Sequence, residues 1–275
     1  MPRFPSPVVL AAFGASSVAT PLPGGQGTSF RAGSLVLKPV EFPYEEQSAL
    51  LFERLEGSGF RVPRPVRASD DRFVVNGWTA TEFIDAHDPG PNGGNWPETI
   101  AACKAFHAAL ATVPIEPWRE VFDLRTDPWA EADRLTFGER TVEPLNHFRG
   151  PIARLTRLLR PMQVPSQLIH GDFTANVLFA HGELPCVIDF SPYWRPAEFA
   201  LGVVVADAIT WGGADESILD LCADVPDFAQ WLARGVLRRI WELDQHSRCG
   251  RTYSADHLAA NVPAILVVEG LIPGA

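Results

Sequence analysis

Between His170 and Asp189 the chain concentrates residues whose types and spacing could do chemistry. The stretch LIHGDFTANVLF (168–179) sets His170, Gly171, Asp172 and Asn176 directly before an apolar run, and Asp189 follows in VIDF. Polar side chains beside an apolar strand are costly to bury unless they are paired. Taken alone the stretch also reads as a turn, since Gly, Asp and Asn all favour turns. The runs VLF (177–179) and CVI (186–188) have strand character, and the glycine and proline of the intervening AHGELP suit a hairpin connection. In such a hairpin the residue entering the first strand, Asn176, lies beside the residue leaving the second, Asp189. Asp172 is one short loop away, so three oxygen-bearing side chains converge at one end of the hairpin. One amide and two carboxylates suit Mg²⁺, which takes one or two carboxylates and completes its shell with water and phosphate oxygens. Zinc would require His or Cys at regular spacing.

The chemistry expected of this set is phosphoryl transfer. A base Asp that orients and deprotonates a hydroxyl, then an Asn, a hairpin and a metal-binding Asp is the order used by protein kinases. On that reading Asp172 is catalytic, and Asn176 and Asp189 hold the metal. HGDFTANVLF and VIDF resemble the HGDxxxxN and IDxx signatures of the aminoglycoside phosphotransferase and choline kinase-like superfamily. The resemblance extends over most of the chain. It implies an α+β, bilobal, protein-kinase-like fold with a small β-rich N-lobe and a larger, mainly helical C-lobe. More narrowly, LAAFG, LPGGQGTSFRAG, VLKP and IDFSPYWRP resemble an actinobacterial group of phosphotransferase-like proteins.

The elements that must position these residues divide at the Pro/Gly-rich segment DPGPNGGNWP (88–97). Residues 1–85 are expected to form a nucleotide-binding lobe with its hinge, and residues 86–275 the catalytic and substrate lobe. Strands are expected at LVLKP (35–39), RFVVNGW (72–78) and TATEFI (79–84), with an amphipathic helix over 45–59. Behind the boundary the periods lengthen to helices over 98–113 and 226–246. VVLAAFGA (8–15) fits a short core-packed helix and makes a poor signal peptide.

The resemblance also assigns nucleotide contacts. The hairpin PGGQGTSFRAG, with Gly24, Gly25 and Gly27, would let backbone N–H groups approach phosphates, although an ordinary β-turn would read the same way. Lys38, at the end of the strand LVL, matches the kinase lysine that holds α- and β-phosphates. Its carboxylate partner is expected from the following helix, with Glu46 chosen, Glu45 second, and helix-surface charges as the plainer reading for both. Glu82, Phe83 and Ile84 resemble the hinge whose backbone binds adenine. His107 and His170 read as structural, and Trp194 is the tryptophan to watch. The chain departs from the family by lacking the aspartate that antibiotic kinases carry shortly after the second motif. Arg195 and Glu198 stand there instead, and Asp207 comes late.

Composition narrows the classes. A net charge of −10 argues against nucleic acid, and no apolar run is long enough to span a membrane. Four cysteines without a CxxC pair fit a reducing, cytoplasmic setting. The expected activity is that of a Mg²⁺- and ATP- (or GTP-) dependent kinase acting on a hydroxyl of a small molecule. The alternative is a catalytically silent nucleotide-binding scaffold. The acidic run Asp207, Asp215, Glu216, Asp220, Asp224 and Asp227 would attract a cationic acceptor, while Arg195 would suit a carboxylate or phosphate, and a solvated acidic face is the plainer reading.

Overall fold

The chain is described by a computed structural model over residues 4–16, 18–23, 27–88, 90, 95–251, 253 and 255–272. Its first helix, α1 (Pro7–Ala12), starts where the Ser6 hydroxyl accepts the Val9 N–H and lays Val9 and Leu10 on a sheet. That sheet is antiparallel, in the order β1 (Thr20–Pro21), β2 (Phe30–Ala32), β3 (Leu35–Pro39), β4 (Trp78–Glu82). Phe30 faces Leu37 and Lys38 faces Thr79 across the ladders. Phe30, Ala32, Leu37, Trp78 and Ala80 close with α1 into a small core of their own. The strand expected over 72–78 is not formed. Asn76 and Gly77 both take positive φ (50° and 75°) and turn the chain so that Val75 bridges Trp78, as an Asn-Gly pair favours, and only Trp78 enters β4.

Helix α2 (Glu45–Phe52) stops well short of residue 59, because the Arg64 guanidinium takes the carbonyls of Phe52 and Leu55 at 2.7 and 3.0 Å. Its Phe52, with Leu55, Phe60 and Val62 beyond it, belongs to the larger core.

That core is built by α3 (Trp96–Leu110), α4 (Arg119–Leu124), α5 (Pro128–Thr136) and α6 (Asn146–Leu158), then two short sheets, then α7 (Ala197–Thr210), α8 (Phe228–Arg248), α9 (Ala255–Ala259) and α10 (Val262–Leu271). The sheets pair β5 (Gln167–His170) with β8 (Pro192–Arg195), and β6 (Val177–Leu178) with β7 (Cys186–Val187), both antiparallel. The second pair is the hairpin expected from VLF and CVI. Helix α7 is buried all along Phe199–Ile209, as a central helix with apolar residues on every side must be. It crosses α8 backbone to backbone. A Cβ on Gly202 would lie 2.3 Å from the Trp231 carbonyl oxygen, and one on Gly235 would lie 2.4 Å from that of Gly202. Among the described residues no helix is long and apolar enough to cross a membrane.

Candidate active site

The loop after β5 is built from buried hydrogen bonds inward. His107, on α3, gives its Nδ1–H to the Cys103 carbonyl (2.7 Å), so its Nε2 can accept the His170 N–H at 3.0 Å. His170 in turn directs Nε2–H to the Ile188 carbonyl and accepts the Asp172 N–H on Nδ1 at 3.2 Å. Burial pushes both imidazoles down to about 4, so both are neutral at pH 7 and act on the backbone, as expected for structural histidines. Gly171 is glycine for want of space, since a Cβ there would meet the Tyr193 ring at 2.3 Å.

Asp172 therefore emerges from a fixed backbone, with its side chain 38 % exposed. Asn176 donates Nδ2 to the Asp172 carbonyl oxygen at 2.5 Å, and its own carbonyl accepts the Ile188 N–H at 2.9 Å. That second bond sets Asn176 beside the end of β7, one residue before Asp189, which takes a left-handed φ of 50°. The hairpin thus brings Asp172, Asn176 and Asp189 to one edge, as the sequence predicts.

From the sheet side, Lys38 on β3 forms an ion pair with the Asp189 carboxylate, joining residues 151 apart in the chain. Burial lowers the lysine to about 8 against the pull of Glu45 and Glu41. At about 8 the lysine is still mostly charged at pH 7. Glu45 is itself raised to about 7, by burial first, with Lys38 opposing and Glu41 reinforcing. Of the two α2 carboxylates, Glu45 is the one coupled electrostatically to Lys38. Glu46, the first choice from sequence, points outward from the same turn and is exposed, with Arg72 in its neighbourhood. Adjacent residues of a helix face different ways, so the choice between them rests on the phase at which α2 begins.

Glu82 and Phe83 commit their N–H groups to the carbonyls of Arg64 (2.9 Å) and Ser34 (2.8 Å), and the Ile84 carbonyl accepts the Ala86 N–H at 3.0 Å. Among the described residues the Ile84 N–H has no acceptor. Gly27 takes a φ of 70° with open space around it, as a glycine-requiring turn does, whereas Gly24 and Gly25 lie outside the described residues.

Two arginines that sequence reasoning passed over complete the site. Arg238, fully buried on α8, donates to the Gly171 carbonyl and to the Tyr193 hydroxyl (3.1 Å). Arg239 donates to Asp172 Oδ1 at 2.8 Å, to both oxygens of Asp207 at 2.8 and 2.5 Å, and to Glu242 at 2.8 Å. The signal available in the sequence was RRIWE within the long helix, a pattern that reads as solvated charge. Arg195 is likewise spent inside the protein, on Asp133 (2.6 Å) and Glu139 (2.6 Å), beside a cavity of about 110 Å³ lined by Arg125, Tyr193 and Trp194. The acidic run is dispersed. Asp207 pairs with Arg239, Asp224 with Lys104 and Asp227 with Arg160, while Asp215 takes the Ser217 N–H.

Residues 21–207 match the model of the phosphotransferase enzyme family. No curated protein sequence matches the chain significantly. Solved structures share the fold at low identity. An aminoglycoside phosphotransferase from Alicyclobacillus acidocaldarius is 15 % identical, covering 99 % of this chain and 97 % of its own, with a TM-score of 0.61. A thermostable mutant of aminoglycoside phosphotransferase APH(4)-Ia, in ternary complex with AMP-PNP and hygromycin B, is 14 % identical over 97 % and 98 %, with a TM-score of 0.60. Choline kinase LicA from Streptococcus pneumoniae is 10 % identical over 96 % and 97 %, with a TM-score of 0.58. With the family model spanning most of its length and its ordered motifs folded onto one edge, this chain belongs to the phosphotransferase enzyme family.

Proposed function

We propose that the protein transfers the γ-phosphoryl group of ATP, or of GTP, to a hydroxyl of a small molecule in a Mg²⁺-dependent reaction. The observation that carries this reading is the meeting of Lys38 and Asp189 across the lobes, beside the loop that presents Asp172 and Asn176. The donors fit the ion. Asn176 spends its Nδ2 on the Asp172 carbonyl, so its Oδ1 remains to coordinate, and the Asp189 carboxylate is exposed. Two hard oxygen donors, with phosphate and water for the rest of the shell, match the Mg²⁺ pattern. Held by Asn176 and Asp189, the ion would supply charge to offset that of the phosphates. Lys38 would hold the α- and β-phosphates, with Glu45 in the supporting role. The Ile84 N–H and the Glu82 carbonyl would be the backbone groups to meet a purine edge, and Asp172 would orient the acceptor hydroxyl and take its proton.

The acceptor's charge is not carried by the features that first suggested it. Half of the acidic run, Asp207, Asp224 and Asp227, is paired with cations of its own chain, which weakens the support for a cationic acceptor, and Arg195 is equally committed to carboxylates of its own chain. Mg²⁺-dependent nucleotide binding by thermal shift, followed by amino-hydroxy, neutral and acidic acceptors, tests the reading. Asp172→Asn should lose on the order of 10²–10⁴ in turnover while Mg·ATP still binds. Asp189→Ala should weaken nucleotide binding only when Mg²⁺ is present. Full turnover in the first variant, or Mg²⁺-independent affinity in the wild type, would overturn the proposal. Nucleotide binding with no turnover on any acceptor would favour the silent scaffold.

A further inference from the structure

Resting on that reading, we infer that Arg239 is a positioning residue for the reaction: it holds the Asp172 carboxylate in the orientation from which it meets the acceptor hydroxyl. The case is geometric. Arg239 reaches Asp172 Oδ1 at 2.8 Å with Nη2, the same nitrogen that reaches Asp207 Oδ2 at 2.5 Å, while Nε reaches Asp207 Oδ1 at 2.8 Å and Nη1 reaches Glu242 at 2.8 Å. Asp207 and Glu242 are buried and anchor the guanidinium on α7 and α8. The fork is thus fixed on two sides and offers its remaining contact to Asp172. The adjacent Arg238 grips the Gly171 carbonyl, so neighbouring arginines of one helix hold neighbouring residues of the loop.

Asp172 is faced by Arg239 and Arg238 from α8, by Asp207 from α7, and by the neutral His170 from β5. Burial raises its proton affinity, and the arginines more than reverse that, leaving the carboxyl below its ordinary range. Only one oxygen is taken by Arg239, so the other is left for an acceptor hydroxyl. A base of low proton affinity orients the hydroxyl and keeps its charge well into acid, and it receives the proton late, as a loose phosphoryl-transfer transition state allows.

The test is a crystal structure of Arg239→Gln together with its Mg·ATP hydrolysis kinetics. The Asp172 carboxylate should leave its wild-type rotamer in that variant, and hydrolysis should slow by about 10- to 100-fold, the scale of a misplaced reacting group. Mg·ATP affinity by calorimetry should stay unchanged. Combined with Asp172→Asn, Arg239→Gln should add nothing further, because Arg239 acts through that carboxylate. If Arg239→Gln does not fold, Arg239→Lys serves, since a lysine lacks the fork and should misplace the carboxylate in the same sense. An unmoved Asp172 in a folded Arg239 variant, or additive losses in the double variant, overturns the inference. If Asp172 moves as stated and no variant, the wild type included, turns over Mg·ATP, it is the phosphotransferase reading that fails.

Discussion

The two walls of the cleft are held by different physics. On the catalytic wall, Gly171 and Asp172 are fixed by His107, His170, Tyr193, Arg238 and Arg239, most of them buried, on elements packed into the large core. On the nucleotide wall, Lys38 rises from a small sheet with its own small core and meets Asp189 through a pair that is 34 % and 42 % exposed. Hydrogen bonds in a dry interior are costly to break, whereas half-exposed ion pairs contribute about 0–1 kcal/mol. On the proposed reading the base would be built in advance of any ligand, while the phosphate side would stay adjustable, with Lys38 free to exchange Asp189 for phosphate oxygens at little expense.

This contrast can be broken most severely at the helix crossing. Gly235→Val would place side-chain atoms inside the α7 backbone, so chemical denaturation should report a loss on the order of 3 kcal/mol or more, at the overpacking extreme. A small loss would mean that the catalytic wall is softer than its packing implies. Next in size, His107→Leu should cost about 1–3 kcal/mol by leaving the buried His170 N–H without an acceptor. It should also flatten part of the acid limb of stability. The unfolded imidazole takes a proton near 6.5 and the folded one near 4, so between those values the unfolded state binds more protons and stability falls as pH falls.

Changes on the nucleotide wall should behave in reverse. Lys38→Met should alter stability by no more than about 1 kcal/mol, since the pair it removes is half-exposed. By calorimetry it should weaken Mg·ATP binding by roughly 10–100-fold, the worth of a charged hydrogen bond. A stability loss as large as that of His107→Leu would erase the distinction between the walls. The smallest effect is expected from Glu45→Gln. Glu45 titrates near 7 when folded against 4.5 ordinarily, so the folded state keeps its proton longer and stability declines as pH rises through that window. Thermal melts of the variant across it should be flatter than those of the wild type.

How much of this was legible in the sequence varied with the range of the interaction. The hairpin 177–187 and the convergence of Asp172, Asn176 and Asp189 follow from a local alternation of apolar runs and turn residues, and the fold agrees. Glu45 against Glu46 was not legible, because one residue of helix phase decides it and α2 starts after an uncapped Tyr44. The stretch 72–78 misled because β-branched and aromatic residues outweighed the Asn-Gly turn signal between them. Arg238 and Arg239 were beyond reach for a different reason. Their partners lie 67 residues earlier in the catalytic loop, and it is the glycine crossing of α7 and α8 that lets Arg239 reach Asp207. The acidic run shows the converse, since charges near one another in sequence can be answered by cations from elsewhere, as Asp207, Asp224 and Asp227 are by Arg239, Lys104 and Arg160.

The short strap of residues 61–66 has a mechanical consequence. At one end Arg61 is sewn to the hairpin, giving its N–H to Pro185 and accepting from Val187. At the other, the Arg64 carbonyl and the Val66 N–H are sewn to Glu82 and Ala80 on the edge of β4. His87 exchanges both backbone bonds with Phe179 on the opposite side of the same hairpin. Any opening of the cleft that preserves these bonds must therefore bend at Val62–Pro63, at Phe83–Ala86, and between β3 and α2, since Phe52 of α2 belongs to the larger core. The first two, side by side, define an axle. The sheet bearing Lys38 would turn about it, while Asn176, Asp189 and the base remain with the bearing block, so nucleotide entry would change the distance from lysine to metal carboxylate and leave the distance from base to acceptor untouched.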